Sequence, residues 1–197
     1  NKALCIFVLS QDFKNELIRR GIKSDIHLTS TKVPDYFISG FDLSMRQGKA
    51  ENIMYSGRIE KAKGVYETVD TFSILKSQYK DLTLTFVGDG SELPMLKQYV
   101  ENKKIKDVRF TGELRGEDFK KEYINADMYL FLSYTEGMPT VVLEAMIFGL
   151  PIFTRKVGGL IDFFENGKMG YISSSLDPAV FAEAMKPYIE NPAKMRS

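Results

Sequence analysis

The sequence has one cysteine, no tryptophan and no long apolar run. Cys5 has no partner for an intrachain disulfide, and its place in the run ALCIFVL predicts a buried core thiol. Without a disulfide framework, a reducing cytoplasm is the expected compartment. No segment has the roughly 18–20 apolar residues that a membrane helix needs, and no small-residue cleavage site follows ALCIFVL. We therefore expect neither a membrane span nor a signal peptide.

The chain also has little net charge. Its 27 Lys+Arg and 26 Asp+Glu residues leave a formal charge of +1, which does not suggest nucleic acid as a partner. A hydrophobic content of 44% in 197 residues is ordinary for a globular protein with a sizeable core. The lone histidine, His27, lies in a strand-like run, so we expect a structural or surface role for it. Because the chain starts at Asn1 without a methionine, we expect a fragment of a longer protein.

Short β-type runs alternate with helix-length segments along most of the chain. Helical period is clearest at 65–79, where Val65, Val69, Phe72, Leu75 and Tyr79 mark one face. Such alternation predicts an α/β fold with a doubly wound parallel sheet covered on both faces. The β-type runs are ALCIFVLS, DIHLTS, NIMYSG, LTLTFVG, VRFTG, MYLFLS, PIFTR and GYIS.

Three local signals predict where elements begin and end. Ser91 is a plausible N-cap of the helix in SELPMLKQYVE, and Asp177 followed by Pro178 is typical of a helix start. Between Thr29 and Asn52 the chain is polar, contains Pro and Gly, and lacks a sustained period. We divide the chain there, into 1–44 and 45–197.

Two cations follow the strand NIMYSG. Arg58 and Lys63 stand between the end of this strand and the start of the next helix. In open α/β sheets, ligands bind at the carboxyl ends of the strands, so this is a position where a ligand could be contacted. Two cations beside the free N–H groups of a helix suit a diphosphate. The alternative is that they are ordinary surface-loop residues.

Glycines follow several other strands. Gly88 and Gly90 permit a tight turn after LTLTFV, and Gly112 ends the strand VRFT. Gly158 and Gly159 offer a second possible cradle before another helical segment. Each of these turns is also adequate as a plain connection, and none completes a dinucleotide fingerprint or a P-loop.

Two carboxylates flank or interrupt an apolar helix. Pro139 fits the first turn of a helix through about Phe148, so Glu136 lies in the preceding loop and Glu144 lies within the helix. Because burying an unpaired carboxylate is costly, Glu144 needs either a cleft or a partner. Two carboxylates at different depths suit sugar hydroxyls, but a helix acid that reaches solvent remains the alternative.

Four motifs in order resemble the C-terminal domain of retaining glycosyltransferases of family 4, enzymes of the GT-B architecture with two Rossmann-like domains. The motifs are YSGRIEKAKG, LTFVGDGSEL, VRFTGEL and SYTEGMPTVVLEAMIFGLPIFTRKVGGLIDFFENGKMGYI, and the resemblance runs from about Asn52 to Ile189. Two glutamates separated by seven residues are the family's signature. The resemblance implies a Rossmann-like fold for 45–197 and makes 1–44 the end of an N-terminal domain with its crossover.

The resemblance also implies roles for matching positions. Arg58 and Lys63 correspond to the pair that holds the donor diphosphate, in a family that usually works without a metal. Glu136 corresponds to the acid that contacts the donor sugar, and Glu144 to the acid that binds the ribose hydroxyls. The remaining implied donor residues are Gly137, Met138, Pro139 and Thr140 along the sugar and phosphate, Gly88 in its turn, and Arg109, Phe110 and Gly112 bordering the base.

The implied reaction is hexosyl transfer with retention from a UDP- or GDP-sugar to a polysaccharide, lipid-linked or other glycan acceptor. The acceptor would bind a missing N-terminal domain, so we expect this fragment to be inert alone. Many family members have Phe-Gly where this chain has Met138 and Pro139, which leaves sugar selectivity open. The resemblance further implies a cytoplasmic protein, with peripheral membrane contact in relatives. Two alternatives remain: a nucleotide-sugar 2-epimerase and a non-enzymatic nucleotide-sugar-binding module.

Overall fold

The structure is a computed structural model that describes residues 4–29, 31–45 and 50–192, apart from the side chains at positions 36 and 45. A small unit comes first, made of β1 (Cys5–Val8), α1 (Gln11–Arg19) and β2 (Asp25–Leu28), with the two strands parallel. Two 3₁₀ turns, Asp35–Phe37 and Leu43–Met45, lie in the segment that leads to the main sheet. The predicted division between residues 44 and 45 stays a prediction.

The main sheet has six parallel strands in the order β5-β4-β3-β6-β7-β8. This is the predicted α/β, doubly wound, Rossmann-like architecture, and the prediction is confirmed. The sheet grows outward in two directions from β3 and β6, so its switch point lies between these strands. The strands are β3 (Asn52–Ser56), β4 (Thr83–Val87), β5 (Val108–Phe110), β6 (Met128–Phe131), β7 (Ile152–Arg155) and β8 (Gly170–Ser173).

Helices cover the sheet and bury its central strands. All four residues of β6 and all four of β7 are buried, and burying each large apolar side chain contributes about 1.5–3 kcal/mol. Helix α4 packs on β3 and α5 packs on β6 and β7, whereas α2 packs on α3 and α6. The helices are α2 (Val65–Gln78), α3 (Leu93–Asn102), α4 (Gly116–Asn125), α5 (Thr140–Ile147) and α6 (Pro178–Glu190).

Helix boundaries agree with the sequence at α6 and disagree at α3. The Asp177 carboxylate caps α6 by accepting from Ala179 N at 2.9 Å, with Pro178 as the first helical residue. Ser91 is not the N-cap of α3, because the helix begins at Leu93 after Glu92. Backbone carbonyls replace the expected cap: the Glu92 N–H donates to Ile59 O at 3.0 Å.

Cys5 is exposed, so the prediction of a buried core thiol is wrong. The reason is tertiary. Its strand belongs to the two-stranded sheet, where apolar side chains such as Phe7 are also exposed, at 67%. His27 lies in β2 as predicted and is exposed, with its ring 5.6 Å from that of Phe7. No helix among the described residues has the length and apolar character needed to cross a membrane.

Candidate functional site

A cleft in two connected parts opens at the carboxyl end of the sheet, beside the switch point. The larger part, here called the wide chamber, has a volume of about 350 Å³, and the narrow chamber about 180 Å³. Gly57, Arg58 and Val141 line both, so the chambers adjoin. The wide chamber is otherwise lined by Val87, Gly88, Asp89, Glu113, Leu114 and Phe119, and the narrow one by Lys63, Phe131, Glu136, Met138, Pro139 and Thr140.

Close backbone approaches fix the walls of this cleft. Gly88 has φ 141°, and a Cβ there would lie 2.0 Å from the Gly57 carbonyl oxygen. The Gly88 N–H also donates to Gly112 O at 2.9 Å. Gly64, with φ 67°, would place a Cβ 1.9 Å from Leu132 O. Only glycine fits these positions, because they combine a left-handed backbone with direct backbone contact.

Lys63 and Glu136 form an ion pair in the narrow chamber. Lys63 ends the 3₁₀ turn Lys61–Lys63 after β3, whereas Glu136 lies in the loop after β6. Lys63 Nζ lies 2.7 Å from Glu136 Oε1, and the two side chains are only 17% and 12% exposed. The neighbouring strand ends of the switch point bring together two charges that are distant in sequence. The pair can present both a cation and a carboxylate to one ligand.

Arg58 is the more accessible cation of the site. Its side chain is 69% exposed, and Nη1 lies 3.0 Å from Glu60 Oε1. Its backbone is anchored, because the buried Tyr55 hydroxyl donates to Arg58 O at 2.8 Å. An exposed pair of this kind is held weakly, at about 0–1 kcal/mol, so the guanidinium can turn to another anion in either chamber.

Glu144 lies beside the cleft on α5. It stands one helical turn after Val141, which lines both chambers, and residues three apart share a helix face. Tyr123 Oη donates to Glu144 Oε2 at 2.8 Å. Burial raises the pKa of the Glu144 carboxyl from its ordinary value of 4.5, while the hydrogen bond from Tyr123 opposes the rise. The carboxylate therefore has a partner, as the sequence required.

The loop after β6 places its predicted residues in two ways. Met138, Pro139 and Thr140 line the narrow chamber, and Pro139 precedes the first residue of α5. Gly137 supports this loop from behind, since Gly159 N donates to its carbonyl at 2.8 Å. Gly159, which belongs to the second predicted cradle, thus holds the backbone of this loop in place. Gly112 likewise braces the turn at Gly88.

Arg109 and Phe110 are not among the described residues that line either chamber. The Arg109 guanidinium pairs with Glu122 of α4, with Nη1 to Oε1 at 3.1 Å, and donates to Thr85 Oγ1 at 3.3 Å. Phe110 stacks on Phe86 with ring centroids 5.2 Å apart. The strand VRF points these side chains to opposite faces of the sheet rather than to its edge.

Other lining residues were not predicted from the sequence. Glu113 and Leu114 directly follow Gly112 in the motif VRFTGEL, and the resemblance places Gly112 beside the base, so their position along the chain carried the signal. Phe119 and Val141, which line the cleft, and Tyr123, which donates to Glu144, carried none. A helix period shows which residues share a face but not which strand end they reach. Among the described residues, no three His, Cys, Asp or Glu side chains cluster in a way that could hold a metal ion.

Comparison with known proteins identifies the family. The family model described as glycosyl transferases group 1 matches residues 44–197. Glycogen synthase of Mycobacterium tuberculosis is 30% identical over 149 residues, which are 75% of this chain and 36% of that protein. Capsular polysaccharide biosynthesis glycosyltransferase CapM of Staphylococcus aureus is 30% identical over 71% of this chain and 37% of its own length. The chain therefore spans little more than a third of the length of these relatives.

Solved structures agree on the fold. TarM of S. aureus, in a complex that includes UDP, superposes with a TM-score of 0.83 at 18% identity, over 99% of this chain and 38% of that one. Anabaena HepE, in complex with UDP and glucose, gives 0.81 at 21% identity, over 98% of this chain and 55% of that one. With a family model over most of its length and this α/β sheet, the chain belongs to the glycosyl transferases group 1 family.

Proposed function

We propose that this chain is the C-terminal, donor-binding domain of a retaining glycosyltransferase of family 4. The whole protein would transfer a hexose from a UDP- or GDP-sugar to a polysaccharide, lipid-linked or other glycan acceptor. One observation carries the proposal: Arg58, Lys63 and the Glu136 carboxylate line the narrow chamber at the switch point, and Glu144 stands on α5 one helical turn after Val141, which lines both chambers. The relatives named for glycogen and capsule synthesis, and the neighbours solved with UDP, support it.

In this proposal the narrow chamber holds the diphosphate and the donor sugar. Arg58 and Lys63 face the phosphates together with the free N–H groups at the start of α5. Glu136 accepts hydrogen bonds from sugar hydroxyls, and its ion pair with Lys63 joins the sugar site to the phosphate site. The wide chamber holds the base beside Gly88, Glu113 and Leu114, and Glu144 accepts from the ribose hydroxyls.

The reaction would break the bond between the sugar's anomeric carbon and the diphosphate oxygen while an acceptor hydroxyl attacks that carbon and gives its proton to the departing diphosphate. Charge builds on the departing diphosphate, and neighbouring cations and helix N–H groups stabilise the transition state more than they stabilise the ground state. The proposal gives this role to Arg58 and Lys63 rather than to a metal. Retention is supported by the resemblance of the motifs, and a cytoplasmic location with peripheral membrane contact is part of the same proposal.

The test is calorimetric titration of UDP and GDP into the 197-residue chain and into its Arg58→Ala and Glu144→Ala variants. We expect one nucleotide to bind the wild type and to lose about tenfold in affinity in each variant, since each change removes one charged contact. If neither UDP nor GDP binds to a longer protein that contains this chain, the proposal is overturned. Sugar transfer by the longer protein, with none by the 197 residues alone, separates a transferase from an epimerase or a binding module.

A further inference from the structure

Behind Glu144 lies a chain of three buried hydroxyl groups that packing alone does not explain. Tyr123 Oη lies 2.8 Å from Glu144 Oε2 and 2.8 Å from Ser56 Oγ. Ser56 Oγ lies 2.8 Å from Tyr129 Oη, which also donates to Ser56 O at 3.1 Å. Ser56, Tyr123 and Tyr129 are each 0% exposed. We call this set the hydroxyl relay: Tyr129, Ser56, Tyr123 and then Glu144.

The direction of donation in the relay follows from its end. An ionised carboxylate only accepts, so the Tyr123 hydroxyl must donate to Glu144. The Tyr123 oxygen can then accept from the Ser56 hydroxyl, and the Tyr129 hydroxyl shares its one proton between Ser56 Oγ and Ser56 O. Burial raises the pKa of both tyrosines, so they keep their protons and remain donors at any ordinary pH. The proton of Tyr123, the last donor, therefore points toward Glu144.

Rigid packing fixes the position of the last donor. The Tyr123 ring stacks on Phe148 with centroids 5.4 Å apart and on Tyr129 at 6.1 Å, and Phe37 packs edge-on at 5.7 Å. A ring enclosed on these sides cannot swing its hydroxyl away. The relay binds Oε2 of Glu144, and among the described residues no hydrogen bond is made to Oε1. One carboxylate oxygen is thus held and the other is available.

We propose that Tyr123, supported by Ser56 and Tyr129, is a positioning residue that aims the free oxygen of Glu144 at the ribose hydroxyls of the donor nucleotide. This inference rests on the proposed function, because it assigns the ribose to Glu144. Burying hydroxyls is unfavourable unless each is paired, and phenylalanine would fill the same space without that requirement. The three hydroxyls form a connected set that ends at a ligand-side carboxylate, which gives them a role beyond the core.

The test compares UDP and GDP with their 2′,3′-dideoxy analogues, titrated into the wild type, Tyr123→Phe and Ser56→Ala. For the natural nucleotide that binds, Tyr123→Phe should weaken affinity about three- to tenfold, the worth of one misplaced hydrogen bond. Ser56→Ala should weaken it less, about twofold, because Tyr123 keeps its place in the ring stack. For the dideoxy analogue both effects should vanish, since the groups that Glu144 would contact are absent.

Tyr79→Phe is the matched control. Its hydroxyl also donates to a glutamate, Glu190, at 2.5 Å, but it lies at the opposite edge of the sheet, before β4. It should leave both affinities unchanged. Equal weakening of natural and dideoxy nucleotides by Tyr123→Phe would mean a merely structural role and would overturn the inference. If Glu144→Ala weakens nucleotide binding and neither relay variant does, the relay fails while the proposed function stands. If Glu144→Ala has no effect, both fail.

Discussion

Glu136 and Glu144 stand on the same short stretch of chain and face the same difficulty, a carboxylate in partly buried surroundings. The two carboxylates have different kinds of partner. Glu136, in the loop, is paired with a full positive charge on Lys63 at 2.7 Å. Glu144, in the helix, receives only a neutral phenol hydroxyl at 2.8 Å, and burial leaves its pKa raised. The loop acid is thereby neutralised, whereas the helix acid keeps an unbalanced charge beside the cleft.

Removal of the Lys63 cation should give the largest effect on stability. Lys63→Met leaves Glu136 mostly buried without its partner, which should lower the free energy of unfolding by about 2 kcal/mol, less than for a fully buried pair because water still reaches it. Chemical denaturation measures this. The double variant Lys63→Met with Glu136→Gln should recover most of the loss but still bind nucleotide poorly. Equal stability of the single variant and the wild type would contradict the difference drawn between the two acids.

Neutralising Glu144 should raise the free energy of unfolding, whereas Lys63→Met should lower it. Since the folded-state pKa of Glu144 lies above its ordinary value of 4.5, the cost of burying its charge is absent below that value. The cost appears as the pH rises through the folded-state pKa. Glu144→Gln should therefore stabilise the chain at about pH 8, by about 1 kcal/mol, and the gain should disappear at about pH 4.

Denaturation of both proteins across that range checks this prediction. A gain that grows on acidification would show that the Tyr123 hydrogen bond outweighs burial. Nucleotide affinity measured on the same variant should fall, which would make Glu144 a site where binding is favoured at the expense of stability.

The smallest effect is expected at a third carboxylate, the ion-paired Glu122, when its partner Arg109 is replaced. The Arg109–Glu122 ion pair resembles that of Lys63 and Glu136 in having a poorly exposed acid, at 14%, but Arg109 is 57% exposed and lies away from both chambers. Arg109→Ala should change nucleotide affinity less than twofold and stability by at most about 1 kcal/mol. Titration of UDP and GDP decides it. A tenfold loss would support the interpretation, made from the sequence, that Arg109 borders the base.

The sequence predicted the fold because its evidence is local. Every strand of the main sheet was visible as an apolar run, and the face of α2 at Val65, Val69, Phe72 and Leu75 is buried as its period required. Loops after strands were correctly placed at one edge, because parallel strands end together. Cys5 shows the limit. An apolar run indicates a strand, but whether that strand is covered depends on the sheet that it joins.

The sequence by itself determined an α/β chain whose Arg58, Lys63, Glu136 and Glu144 belong to loops and a helix at the ligand edge. Tertiary structure alone decided how they pair: Lys63 with Glu136, and Glu144 with Tyr123, whose hydroxyl in turn contacts Ser56. It also turned Arg109 toward Glu122 on a sheet face. The physical reason is that helix and strand periods follow from neighbours a few residues apart, whereas these partners lie on different elements. Strand order and close packing bring them within hydrogen-bond distance.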